Sequence, residues 1–505
     1  MKRKNWEFPT AYTVLFLILI LVTVLTHIIP AGKYNRLSYQ ENSKEFVIES
    51  YGKDDEKLPA TQETLDKLNI NIDVEKFTNG TIKKPMAIPN TYTKVSGQAQ
   101  GVDDLILAPI SGLADSIDII IFVLILSGIV GIVNKTGTFS LAMKAISQKT
   151  KGKEFLLVMI SFLFFAAGGT IFGAWEETIP FYSILIPLFL VNGFDPLVPM
   201  ATIFLGSAVG CMFSTVNPFS TIIASNAAGI SFNEGLKFRF GALIVFSIIT
   251  LTYLYRYIKK VKENPENSIV IEEKNEINER YLKDYQEETN IKFNWSKKLI
   301  LFLFVFQFAV MIWGVASQGW WFQEAAALFF FISIIIMFVS GLSEKEAVNA
   351  FIAGASEVVG VALIIGLARA INIIMENGMI SDTLLYYSSN LVSEMGKGLF
   401  AVVLLFIFVF LGIFIPSTSG LASVAFPVLG PLTAALKYSP EVMVLIFSAA
   451  SGVINLITPT SGVVMGGLAT ARVQYTTWIK FVAKLIAIIV VMDIVILTVA
   501  MMIIK

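Results

Sequence analysis

Apolar runs near 20 residues recur along this chain, separated by short polar stretches, and that rhythm predicts membrane-spanning helices rather than soluble domains. Tyr12–Pro30 is the first. Polar residues 31–100, with Glu41, Lys44, Asp54, Asp55 and Glu56, predict an outer loop or small cap. Asp118–Val133 returns and ends at Lys135, Lys144, Lys149, Lys151 and Lys153. Lysines in short loops mark the inner face, and the start Met1-Lys2-Arg3-Lys4 puts the N-terminus there too. The basic start followed by an apolar run also resembles a signal peptide. Tyr12–Pro30 is longer than a typical signal core, however, and no small-x-small cleavage site follows, so it reads as a retained span.

Glu154–Val191 is apolar except in its middle, Gly168-Gly169-Thr170-Ile171-Phe172-Gly173-Ala174-Trp175-Glu176-Glu177-Thr178-Ile179-Pro180. Glycines, a proline and two carboxylates at that depth are costly against lipid unless they are buried in protein or beside water. The expectation is a re-entrant hairpin with its tip at 169–178. Asp195–Ile230 spans but is interrupted at Ser214-Thr215-Val216-Asn217-Pro218-Phe219-Ser220-Thr221, where proline frees a carbonyl one turn earlier. Phe238–Ile258 returns inside. The mixed-charge stretch at 259–297 then reads as a cytoplasmic linker.

The second half repeats this plan. Lys298–Ser317, Ala325–Gly341 and Ser356–Met375 read as spans. Lys397–Leu436 reads as a hairpin with its tip at Pro416-Ser417-Thr418-Ser419-Gly420. Glu441–Ala471 is interrupted at Asn455-Leu456-Ile457-Thr458-Pro459-Thr460-Ser461-Gly462, and Trp478–Ile504 closes the chain. Thr136-Gly137 matches Asn377-Gly378, and Asn217-Pro218 matches Thr458-Pro459 at the same offset. Pro187 with Pro431 and Asp195-Pro196 with Ser439-Pro440 match at a nearly equal one. The expected fold is therefore an all-α polytopic membrane protein of two inverted repeats, residues 1–258 and 298–505, the second with one extra span. Each repeat carries a hairpin and a broken helix, a recurrent transporter design. Asp104–Asp118 and Ser343–Glu357 are moderately amphipathic and read as interfacial arms, though a simple loop explains them nearly as well.

Composition agrees with this picture. The 505 residues are 55% hydrophobic and 15% charged, with a mean hydropathy of +0.71. Balanced charge, 38 basic and 38 acidic, gives no reason to expect nucleic acid. One cysteine, Cys211, and one histidine, His27, supply neither a disulfide nor a metal cluster, so no cofactor is expected and the coupling ion stays open.

Broken helices expose dipoles inside the membrane. Positive N-terminal ends attract anions, while free carbonyls attract cations. The predicted substrate pocket lies between the two tips and the two breaks. Its candidate residues are Trp175, Glu176, Glu177, Thr178 and Asn217 from the first half. Arg369, Ser417, Thr418, Ser419, Thr458, Thr460 and Ser461 come from the second. The hydroxyls either line the pocket or merely satisfy freed backbone. Glu176 and Glu177 either neutralise a cationic substrate, a proton or Na⁺, or pair with a buried arginine. Consecutive helical residues point about 100° apart, so both face one cavity only if the tip is irregular. Trp175 beside them suits stacking on a guanidinium. Arg369, inside an apolar span, needs a partner. It binds a substrate carboxylate or acts as counter-ion to Glu176 or Glu177. Arg472 marks the cytoplasmic edge.

Several motifs resemble the YfcC branch of the anaerobic dicarboxylate carrier family. They are Phe8-Pro9-Thr10-Ala11-Tyr12, Ile29-Pro30-Ala31-Gly32-Lys33-Tyr34, Trp175-Glu176-Glu177-Thr178-Ile179-Pro180-Phe181-Tyr182, Asn217-Pro218-Phe219 and Ile457-Thr458-Pro459-Thr460-Ser461-Gly462. The resemblance implies a bacterial cytoplasmic-membrane protein of the ion transporter superfamily, built of a scaffold and an elevator-like transport domain and assembled as a homodimer. It implies either four-carbon dicarboxylate transport, driven by Na⁺ or protons, or arginine/ornithine exchange. Two carboxylates on the first tip and one interior arginine favour a basic amino acid, with dicarboxylate symport as the runner-up.

Overall fold

The computed structural model describes residues 9–70, 72–78, 82, 85–150, 152–282, 294–318, 320–415 and 417–504. The basic start Met1–Lys4, Phe8, Lys151, Pro416 and residues 283–293 of the charged linker lie outside them.

In chain order, α1 (Ala11–Ile28) leads into an outer cap of short elements. These are β1 (Gly32–Lys33), β2 (Arg36–Gln40), β3 (Glu45–Glu49), β4 (Glu56–Pro59), α2 (Gln62–Lys67), α3 (Glu75–Thr78), β5 (Met86–Ala87) and β6 (Thr93–Lys94). Next come α4 (Val102–Asp115), α5 (Ile117–Lys135), α6 (Thr138–Thr150), α7 (Phe155–Phe172), α8 (Tyr182–Val191), α9 (Leu197–Met212), α10 (Ile223–Ala227) and α11 (Leu236–Glu263). The charged stretch contributes α12 (Lys274–Leu282). The second half comprises α13 (Trp295–Gln318), α14 (Phe322–Val339), α15 (Glu344–Glu357), α16 (Val359–Asn377), α17 (Ser381–Val392), α18 (Lys397–Phe414), α19 (Thr418–Ala435), α20 (Pro440–Ile457), α21 (Gly462–Ala471) and α22 (Tyr475–Ile503).

This is a multi-pass membrane protein whose spanning part is all-α. Among the described residues, ten helical segments are long and apolar enough to cross a bilayer, counting Pro440–Ala471 as one. The cap differs: it is a small sheet domain, with the antiparallel order β4-β3-β2-β5. Leu37 pairs with Ile48 and Tyr39 with Phe46 across it. Leu37, Phe46 and Ile48 bury against Leu65, Phe77 and Met86, which supplies the apolar face that short strands need. Asp382 at the start of α17 anchors the cap. It accepts from Tyr34 N and Arg36 Nη2, each at 3.0 Å.

Helix lengths recur across the halves. α4 and α15 have 14 residues each, α5 and α16 have 19, and α7 and α18 have 18. Packing is reciprocal as well: α4 lies on α16, α15 on α5, α1 on α16 and α14 on α5. Glycines permit the two arm contacts. A Cβ on Gly112 of α4 would stand 2.1 Å from Gly366 O, and one on Gly354 of α15 would stand 2.4 Å from Ser127 O. The stretches expected as arms are thus helices seated on spans. α15 is started by a capping box: Ser343 and Glu346 exchange bonds at 3.3 and 2.9 Å. α6 and α17, which the hydropathy pattern left unread, join these arms and spans to the hairpins.

Opposite the cap, the linker folds back on the bundle. Asp195, between α8 and α9, accepts from Tyr257 OH at 3.0 Å and from the Ser268 hydroxyl. Tyr281 OH donates to Thr470 O at 2.6 Å. Arg472, which caps α21 in a left-handed conformation (φ 57°), pairs with Glu276 at 3.7 Å. The α1 start lies on this same face, beside Glu273 and Glu276.

Candidate substrate-binding site

A helix–turn–helix segment stands at each expected hairpin and both expected interruptions occur, with narrower irregular segments than expected. α7 runs helically through Phe172, so the first tip is Gly173–Trp175, followed by a 3₁₀ turn over Glu176–Phe181. Gly173 has φ +76°, and a Cβ there would meet the Asn217 amide at 2.7 Å. Only glycine fits this position without strain. At the second tip, α19 has begun by Thr418. The first break covers Phe213–Asn217 before a π turn at Pro218–Ile222. The second covers Thr458–Ser461.

Each break is tied by hydrogen bonds to the last turn of the helix before its tip. Thr215 N donates to Thr170 Oγ1 at 2.9 Å and Val216 N to Thr170 O at 3.2 Å, on the last turn of α7. Thr460 Oγ1 donates to Ile413 O at 3.0 Å, on the last turn of α18. Freed backbone is thereby satisfied within the bundle, as a low-dielectric surround requires.

Between the two tips and the second break lies a cavity of about 400 Å³; the first break, expected to line it, does not. Trp175 and Glu176 face it from the first tip, and Arg369 from α16. Ser417, Thr418 and Ser419 face it from the second tip, and Thr460 and Ser461 from the second break. The N-terminal ends of α19 and α21 open onto it, each a positive dipole end.

Four expected residues do not line the cavity. Glu177 is buried and accepts from Trp175 N at 3.0 Å, so it shapes the tip. Thr178 donates to Trp175 O at 2.6 Å. Asn217 is buried against Gly173. Thr458 shares a 2.6 Å hydroxyl contact with Thr460. The 3₁₀ turn separates the two glutamates and leaves Glu176 toward the cavity.

The counter-ion of Arg369 corrects the expectation. It is neither Glu176 nor Glu177 but Asp115, at the end of α4. The Gly112–Gly366 crossing, one turn away on each helix, brings α4 close enough for this pair. Sequence reasoning missed Asp115 and also Asp118, in the first turn of α5, although both sit at the polar end of the expected arm. Trp321 and Phe322 complete the wall. Because the Asp115 and Arg369 side chains are 46% and 30% exposed, their coupling should be modest. A double-mutant cycle of Asp115→Asn and Arg369→Gln, read by thermal unfolding in detergent, should give about 1 kcal/mol. Strict additivity would dismiss the pair.

A multi-pass helical bundle with a polar cavity walled by helix ends, two turns and an interrupted helix suits a secondary transporter, not an enzyme. The chain belongs to the family described as DcuC, C4-dicarboxylate anaerobic carrier, whose model matches residues 8–502. An uncharacterized protein of Haemophilus influenzae is 43% identical over 96% of this chain and 95% of its own length. The "Putative basic amino acid antiporter YfcC" of Escherichia coli is 26% identical over 97% of this chain and 96% of its own length. Among solved structures, MtrF of Neisseria gonorrhoeae, from a class of antimetabolite efflux pumps, aligns over 99% of this chain and 96% of its own with a TM-score of 0.42 and 15% identity. The YdaH transporter of Alcanivorax borkumensis aligns over 97% and 98% with a TM-score of 0.42 and 13% identity.

Proposed function

We propose that this transporter exchanges basic amino acids, arginine against ornithine, by alternating access. One observation carries the reading: the cavity holds three carboxylates, Asp115, Asp118 and Glu176, against one arginine. Arg369 and Asp115 neutralise each other, leaving two negative charges for a cationic side chain and an α-ammonium. The N-terminal ends of α19 and α21, with the Ser417–Ser419 and Ser461 hydroxyls, suit the α-carboxylate. Trp175 offers an aromatic face to a guanidinium. The printed name of the Escherichia coli relative supports this substrate class.

The same reading treats residues 1–258 and 298–505 as inverted repeats flanking a linker at 259–297, with α13 as the extra span. The reciprocal arm packing and the tie of each break to the preceding helix end support it. The hairpins α7–α8 and α18–α19 are then re-entrant and move with the broken helices against a scaffold, in a homodimer with its N-terminus inside the cell.

Dicarboxylate symport is the second reading. The family's description and the helix N-termini facing the cavity favour it. Counterflow in proteoliposomes separates the two. Labelled arginine should accumulate when ornithine or arginine is loaded inside, and succinate inside should not support it. Concentration of succinate under a Na⁺ or proton gradient, with no arginine counterflow, would overturn the proposal.

A further inference from the structure

A second polar cavity, of about 380 Å³, lies between the cap and the α16, α17 and α19 helices. It shares Arg369 and Ser417 with the first cavity, so those two side chains form part of the wall between them. The cap reaches this position through backbone contacts. Gly32 N donates to Met379 O at 2.9 Å, and Gly32 and Lys33 pair with Lys94 and Thr93 in a two-stranded ladder. Lys33 is thereby set on the cavity wall.

The charges there divide into committed and available groups. Arg36 and Asp382 satisfy each other at 3.0 Å and hold the cap down. Glu376 is exposed; it accepts one bond, from Asn372 Nδ2 at 2.8 Å. A carboxylate has room for further donors. Lys33, with Nζ 5.8 Å from the Tyr51 ring centroid, is the cation available there; Arg369 also lines the space but is paired with Asp115.

One available cation and one carboxylate around a cavity this size match the α-carboxylate and α-ammonium of an amino acid, its carboxylate toward Lys33 and its ammonium toward Glu376. We propose that this cavity is a second binding station for the transported amino acid, on the cap side of the main site. The proposal rests on the amino-acid reading above. It adds a site on the approach path whose residues act from one face of the membrane only. A substrate arriving from the linker face reaches the main cavity without meeting Lys33 or Glu376.

Sidedness tests it. Lys33→Gln and Glu376→Gln should each raise the arginine concentration that half-saturates exchange from the cap face, by about fivefold or more for one lost charge-assisted contact. Half-saturation from the linker face and the maximal rate should stay unchanged in oppositely oriented vesicles. As a second readout, Glu376→Cys in a Cys211→Ser background should react with an impermeant maleimide added at the cap face, and arginine should slow that reaction. Cys211 is the sole native cysteine and is buried. Equal shifts from both faces, or no shift and no protection while the wild type exchanges arginine, would overturn the station alone. Absence of arginine exchange by the wild type would overturn the amino-acid reading and the station with it.

Discussion

Glu176→Gln is expected to lower arginine counterflow by about ten- to a hundredfold, with thermal unfolding close to wild type. The magnitude follows from one charge-assisted contact, roughly 1.5–3 kcal/mol, at about 1.4 kcal/mol per factor of ten. The wall of the main cavity carries Glu176 and Asp118 beyond the Asp115–Arg369 pair. The substitution halves the charge left to receive a cationic substrate and keeps the side chain's size. Glu177 provides the internal control. Its carboxylate accepts from Trp175 N at 3.0 Å and is buried behind the tip. Glutamine retains a carbonyl oxygen for that bond, so Glu177→Gln should change counterflow by no more than about threefold. The reverse pattern, with Glu177→Gln inactive and Glu176→Gln unimpaired, would remove Glu176 from the site.

The second large effect is mechanical. Gly210→Leu should destabilise the protein by about 3 kcal/mol or more and abolish counterflow, since backbone rather than flexible side chain stands in the way. α7 and α9 cross on Gly169, Gly206 and Gly210. A Cβ on Gly210 would lie 2.2 Å from Ala166 O, and one on Gly169 2.4 Å from Ser207 O. No rotamer change removes such a contact; the helices must separate. Separation would disturb the donation of Ser207 to Ala174 O and the Thr170–Thr215 contacts, which hold the first tip over its break. Gly241→Leu is the matched control, because nothing lies within 4 Å of a Cβ at that exposed site on α11. Thermal unfolding followed by size-exclusion fluorescence reads both. Equal melting of the two variants would show that the α7–α9 crossing has slack.

The Gly206-Ser207-Ala208-Val209-Gly210 stretch is a small-xxx-small pattern that permits close helix approach in membranes. Hydropathy reads it only as part of a span, and the structure names its partner, α7. Other features divide in the same way. Spans and breaks were readable because their signals are local: a run of apolar residues, a proline in a span. Boundaries moved by a few residues where α7 continued through Gly168 and Gly169, since packing on α9 offsets the weak helix preference of glycine. The cap's sheet was not readable. Its strands run from two to five residues, too short for an alternating pattern to declare itself.

The chemistry shows the sharpest division. That carboxylates, hydroxyls and one arginine interrupt apolar segments is read from the amino-acid order, and charge in an apolar segment is costly wherever it lies. Which of them meet was settled only by the tertiary structure. Arg369 finds Asp115 across 254 positions of chain, through a helix crossing that two glycines allow. Glu176 and Glu177 are neighbours in sequence, yet a 3₁₀ turn directs one into the cavity and the other into the tip. Local free-energy costs are written along the chain, whereas partners and directions depend on how distant helices pack.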